Sequence, residues 1–325
     1  MKKMHYSLLV IGLLVVAVVG SFMIVDRDFE RAENMYLRGE YVDAFKIYQN
    51  LANRGDARAM LAVSRIYEQG LGQNIYDLNK AFAWTERAAF ASNAHAQHRY
   101  GQWLYEGDLV KENLTGAEAV WGRAAVSNLD VALNKLLALH GLYWPQSSKG
   151  FWIDNISLDR LSTYSDEGEL WASLLYGLYL ETGKGVERNR EQAILQFDRA
   201  IAGGMYQAEV FKQLALLDDS AIAEPKAAID VFKSASDKGM RIAQRELILR
   251  GLKGDLDVSA QDILFWHYVY QRFSAEAEDT PTWIAEIEAL ETQSNLDVAD
   301  LKKQALNWQK TAQPEGTVAL RGMWR

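Results

Sequence analysis

Cysteine is absent from the 325 residues, which removes disulfide scaffolds, thiolate metal sites, iron–sulfur clusters, cysteine nucleophiles and a lipid-modified N-terminal cysteine. Proline is scarce, with four residues against 23 glycines, so the breaks between helices fall to glycine. A basic excess is missing too: 35 Lys and Arg face 43 Asp and Glu, a net charge of −8 with a pI near 5.3. Phosphate affinity rests on clustered Lys and Arg, so this balance argues against nucleic-acid binding. Apolar residues, by contrast, are plentiful. At 49% hydrophobic and 11% aromatic the chain is too apolar to be disordered, and its length suits roughly two domains.

One long apolar run is present. After Lys2 and Lys3, residues Tyr6 to Val25 carry no charge, and at ~1.5 Å per residue such a run crosses a ~30 Å hydrocarbon core. It stops at Asp26-Arg27-Asp28. Positive charge ahead of it places residues 1–5 in the cytoplasm and the body of the chain on the far side of an inner membrane, in the periplasm of a Gram-negative cell. The competing expectation is a secretory signal cleaved near Ser21. The extension through Phe22-Met23-Ile24-Val25 and the lack of an A-x-A site favour an uncleaved single-pass anchor at 6–25. Both expectations export the body.

The rest of the chain repeats itself. The fragment Tyr176-Gly177, Gly183, Gly185, Ala193, Phe197, Ala200, Gly204 reappears as Tyr100-Gly101, Gly107, Ala117, Trp121, Ala124 and again as Gly70, Ala81, Trp84, Ala88. A half-copy opens the array with Ala44, Tyr48 and Ala52, and a weaker one follows with Ala228, Phe232 and Ala235. The alanines at 44, 81, 117, 193 and 228 are 37, 36, 76 and 35 residues apart by subtraction of their numbers. An interval of two periods places a degenerate copy over 129–168. Each copy reads as a helical hairpin. Glycine ends the first helix, where left-handed backbone angles are needed. The second helix presents alanine, then an aromatic three or four residues later, then alanine again, which is one helix face. Small residues act as sockets and Trp84, Trp121, Phe197 and Phe232 as plugs, and stacked copies build a continuous core.

This period and these residues resemble the Sel1-like repeat family, a variant of the tetratricopeptide solenoid. The resemblance implies an all-α fold, an α/α superhelical solenoid of about six hairpins over 29–275, used as a protein-binding scaffold and often exported in bacteria. Two further helices, about Trp283 to Leu290 after Thr280 and Pro281 and about Asp297 to Lys310, read as a terminal cap over 280–312, with 313–325 as a loose tail.

Little in the sequence points to catalysis. His95 and His98 have a spacing that serves metals on a helix, but no third ligand is adjacent. They read as ordinary repeat positions, so no metal and no cofactor is expected. Acidic pairs such as Asp166-Glu167 and Asp218-Asp219 fall in turns, where carboxylates cap or solvate helices, and Gly183 and Gly185 lack the strand and the Lys-Ser/Thr of a phosphate loop. The candidate binding residues are those the repeat does not reserve: Arg58, Arg65, His95, Arg99 and Gln102 on first helices, and the aromatic stretch Tyr143, Trp144, Phe151, Trp152. The aromatic stretch either anchors a partner or folds back to fill the defective copy. The expected function is a non-enzymatic scaffold that holds another protein. The resemblance admits two sharper versions, an immunity protein against a toxin delivered to the periplasm and an assembly factor for envelope polysaccharide. A wall hydrolase is the remaining alternative and would need convergent carboxylates.

Overall fold

The computed structural model describes residues 25–72, 76–127, 129–140, 142, 158–218, 224–272 and 282–309, and every regular element among them is a helix. In chain order these are α1 (25–37), α2 (Tyr41–Asn53), α3 (Ala57–Gln69), α4 (Leu78–Phe90), α5 (Ala94–Glu106), α6 (Leu114–Val126), α7 (Asp130–Leu139) and α8 (Leu158–Asp166). They continue as α9 (Leu170–Thr182), α10 (Arg190–Ala202), α11 (Gln207–Leu217), α12 (Pro225–Asp237), α13 (Arg241–Lys253), α14 (Ala260–Arg272), α15 (Ile284–Gln293) and α16 (Val298–Asn307). The described helices are too short or too polar to cross a membrane. The expected anchor at 6–25 lies outside the described residues save for Val25, as do Thr280 and Pro281.

The helix boundaries follow from side-chain chemistry. Asp56, Asp77, Asn93, Asn189 and Asp297 each accept a backbone N–H from the first turn of the helix they precede, satisfying donors that have no partner within the helix. First helices α3, α5, α9 and α13 end at Gly70, Gly107, Gly183 and Gly254, all left-handed with φ between 63° and 76°. The two first helices without that glycine, α7 and α11, end instead at His140 and Asp218 in right-handed angles. Those are the two places where the sequence pattern weakens.

Second helices end in a turn that recurs along the chain. Asp56, Asn93, Leu129, Glu169, Met205 and Met240 each donate a backbone N–H to the carbonyl five residues earlier, at Leu51, Ala88, Ala124, Tyr164, Ala200 and Ala235. Those carbonyls are 37, 36, 40, 36 and 35 residues apart by subtraction, so the copy over 129–168 is four residues longer than its neighbours. The residue before the donor is glycine with φ of 92–97° at 55, 168, 204 and 239, but it is Ser92 with φ 61° after α4. A side chain in that region costs about 1 kcal/mol. Ser92→Gly is therefore expected to raise stability by about 0.5–1 kcal/mol and Ser92→Val to lower it. Equal urea midpoints for the two variants would contradict this account of the turn.

The helices gather into two compact units, one over 25–120 and one over 121–309. In the first, α2, α3, α4 and α5 pack each on the next, around a core that runs from Phe29 through Tyr48, Leu61 and Ile66 to Ala96. In the second, α8 to α14 do the same, and α14 is then covered by α15 and α16. From α2 to α5 and from α8 to α14 each helix packs on its neighbours in sequence, with α16 reaching back past α15 to α14, which is solenoid packing rather than a single globular centre.

Aligned on the repeated turn, the second helices place one residue at a common buried position, Tyr48, Thr85, Trp121, Leu161, Phe197 and Phe232, and His267 stands at the same point along α14 as Phe232 along α12. None of the seven exceeds 3% exposure. The sockets beside them are equally closed, with Ala81, Ala88, Ala117, Ala124, Ala193, Ala200 and Ala228 at 0% and Ala235 at 3%. The structure corrects one expected plug. Trp84 is only half-buried, with the Arg87 guanidinium 4.2 Å from its ring, because the slot four residues beyond Ala81 belongs to Thr85. Thr85 fills it by polar means. Ser64 Oγ donates to the Ala81 carbonyl at 2.7 Å, so the 2.6 Å contact between the two hydroxyls has Thr85 as donor.

Gly177 shows how tight the stack is. A Cβ there would lie 2.6 Å from Cε1 of Phe197, so α9 meets α10 closely only because that position has no side chain. Gly101 is buried at the matching place in α5, whereas Gly185 and Gly204 sit exposed in turns. The cap helices are held on α14 by aromatic and polar contacts together. Trp308 packs edge-on against Trp266, Trp283 Nε1–H donates to His267 Nδ1 at 3.0 Å, and Arg272 donates to the carbonyls of Ala305 and Trp308.

Candidate functional site

In the unit over 25–120, α3 and α5 are first helices of successive hairpins, and their side chains meet. Arg99 on α5 pairs with Glu68 on α3, and the Arg99 guanidinium lies 4.7 Å from the Trp103 ring centre. Arg65, one turn before Glu68, is only 8% exposed. Burial is the largest influence on its guanidinium and pulls its pKa below the usual range; Glu68 and then Tyr36 of α1 oppose the shift, and Arg99 adds to it. Tyr36 Oη in turn donates to Gln69 Oε1. These contacts form a polar strip across the first helices.

Trp103 also starts a chain of rings that leads to solvent. Phe82 of α4 lies 5.5 Å from Trp103 and 5.5 Å from Tyr100, and Tyr100 lies 6.1 Å from Phe90. Tyr100 Oη donates to Glu86 Oε1. Burial first, and that bond second, push its pKa up to about 12, so the hydroxyl remains a donor at neutral pH. The chain ends at Phe90, which at 71% is the most exposed large apolar side chain among the described residues. Its place in the repeat is not reserved for an aromatic: the equivalent residues on other second helices are Asn53, Val126, Asp166, Ala202, Asp237 and, by its position along α14, Arg272. Rings beside an arginine, half buried and half presented, are the composition found at the energetic centres of protein interfaces.

The family model for the Sel1 repeat matches this chain three times, at residues 55–89, 94–119 and 172–204. The chain carries Sel1 repeats. The first two matched copies run from the turn before α3 into the first half of α6, and so contain Arg65, Glu68, Arg99 and the rings of Phe82, Tyr100 and Trp103. The third covers α9 and α10, where Gly177 meets Phe197. Among solved structures, the chain is similar to a Sel1 repeat protein from Oxalobacter formigenes, at 21% identity over 75% of this chain and 99% of that one, with a TM-score of 0.43. It is also similar to a protective antigen of uropathogenic Escherichia coli with the SLR fold, at 16% identity over 89% and 72% of the two chains and a TM-score of 0.33. Sel1 repeats are protein-interaction modules, and proteins built from them are typically non-enzymatic scaffolds.

The candidate binding residues of this chain fall in different settings. Arg65 and Arg99 come together on the strip, but Arg65 is a buried cation rather than a surface one, a correction that follows from its place on the packed side of α3. Arg58 is engaged with Asp56 and Asp26 and lies 4.6 Å from the Phe29 ring centre, so it ties α1 to α3. His95 is half-buried on α5, and Gln102 donates to Glu106 on the same helix. His98 is buried at 8% exposure, and the described residues contain no group of three side chains able to hold a metal. Tyr143, Trp144, Phe151 and Trp152 lie outside the described residues. Phe90 is the residue that sequence reasoning misses. Its signal is an aromatic at a repeat position that elsewhere holds small or polar side chains.

Proposed function

We propose that this protein is a membrane-tethered, non-enzymatic scaffold that holds a partner protein on the α4–α5 surface, with Phe90 as an apolar anchor. The anchor at 6–25 would display the body on the periplasmic side of an inner membrane; its charge pattern and length support this reading. One observation carries the binding surface. Phe90 is 71% exposed at a position the repeat leaves open, and its ring is backed by Tyr100, Phe82 and Trp103. An exposed ring adds little to folding, whereas its burial by a partner on a firm aromatic base contributes binding energy.

Full-length protein carrying a photo-crosslinking phenylalanine analogue at residue 90 is expected to capture one stoichiometric partner from membranes of its own host. Phe90→Ser is expected to weaken that capture at least tenfold while the melting temperature stays unchanged. Capture that survives Phe90→Ser undiminished would overturn the assignment of the surface. Protease added outside spheroplasts should digest the body, and its complete protection would remove the periplasmic part of the reading.

A further inference from the structure

We infer that the first-helix strip of the 25–120 unit receives an acidic segment of the partner protein, with a carboxylate seated on Arg99 above Arg65. This deepens the scaffold reading and rests on it. Arg65 and Arg99 come from successive hairpins and act on each other electrostatically, and Glu68 is the carboxylate that pairs with Arg99 between them. Arg65 is 8% exposed, and a charge held that far from water interacts with an arriving anion much more strongly than a surface lysine does.

Arg99 supplies the contact itself. Its side chain is 31% exposed, and its guanidinium is held against the Trp103 ring. Stacking leaves the planar fork pre-oriented, and that fork matches a carboxylate in two parallel hydrogen bonds. The existing pair with Glu68 runs through one terminal nitrogen of the Arg99 guanidinium, and the fork carries further N–H donors. A second carboxylate therefore adds to Arg99 without first breaking that pair. The chain as a whole carries −8, so an acidic segment is repelled over most of the surface and accepted where the two guanidiniums lie. Such a contrast sets register. Trp103 is shared by this strip and the ring chain that ends at Phe90, so one segment carrying a carboxylate beside apolar residues would engage both.

The probe is a fluorescein-labelled hexaglutamate peptide, read by anisotropy against the full-length protein, with hexalysine and a Gly-Ser peptide of equal length as comparisons. Hexaglutamate is expected to bind in low salt, at least tenfold tighter than either comparison, and to be released by 0.5 M salt. Arg99→Gln is expected to weaken it at least tenfold, Arg99→Lys less, and the exposed Arg123→Gln not at all. Arg65→Met tests the buried cation. Because loss of a buried charge can also unfold the chain, its melting curve is recorded alongside, and Arg99→Gln decides the matter. Hexaglutamate that binds no better than the Gly-Ser peptide, or equally well to Arg99→Gln, overturns the inference, as does a preference for hexalysine. A partner captured through residue 90 and indifferent to Arg99→Gln would overturn the acidic segment and leave the scaffold reading intact.

Discussion

Phe197→Ala is expected to lower the stability of the 121–309 unit by about 3–5 kcal/mol, the cost of emptying a fully buried aromatic site that cannot collapse. Phe197 is at 0% exposure, is flanked by Ala193 and Ala200, and presses on Gly177 from the facing helix. Gly177→Ala is expected to cost about 1–3 kcal/mol by the opposite route, overpacking, since the new methyl would stand 2.6 Å from the ring. The two are expected not to add. With the ring gone, the alanine at 177 points into the cavity and fills part of it, so the double variant should be less damaged than the sum of the single ones. Urea denaturation of the four proteins measures this coupling, and strict additivity would mean that α9 and α10 do not meet there.

The second large effect is acid sensitivity centred on His267. It occupies in α14 the slot that Phe232 occupies in α12, is 3% exposed, and accepts the Trp283 N–H at Nδ1. Burial pulls its pKa down from 6.5 to about 4, with Lys302 adding to the shift and Glu291 opposing it. The unfolded chain takes up a proton at this residue below about pH 6.5, whereas the folded chain refuses it until about pH 4. Stability that is fully present above pH 6.5 is therefore lost as pH falls through this window, by an amount on the order of 3 kcal/mol. Protonation inside the fold also ends the acceptor role of Nδ1, which loosens α15 from α14. Melting temperatures from pH 7 to pH 4 should fall more steeply for the wild type than for His267→Gln. Identical slopes would show that the histidine is not held neutral.

Much of this architecture is legible in the sequence because the repeat is written in residues with few substitutes. Alanine sockets and the αL glycines at 70, 107 and 183 can be counted at a fixed interval, and those positions are closed or left-handed as the interval requires. Legibility ends where a slot is filled by other chemistry. Thr85 and His267 hold ring positions through hydrogen bonds, and a search for aromatics passes over both and selects Trp84 one residue early. Leu161 fills the slot of the longer copy over 129–168 with an aliphatic side chain, which a search for aromatics also passes over. The candidate site is less legible still. Arg65 and Arg99 are 34 residues apart by subtraction and neighbours only after stacking, and spacing alone does not say that Arg65 points inward. Phe90 becomes visible once second helices are aligned on their closing turn rather than on their rings.

Packing between sequence neighbours has a mechanical corollary. A pull applied at residue 25, the point where a bilayer-held segment would join the body, is borne first by α1, whose hold on the next hairpin includes the Arg58 bridge to Asp26. Among the described residues of that unit, no strand crosses the stack to share the load. Hairpins loaded in series surrender one at a time, so this unit lengthens in steps under tension rather than bursting as a whole.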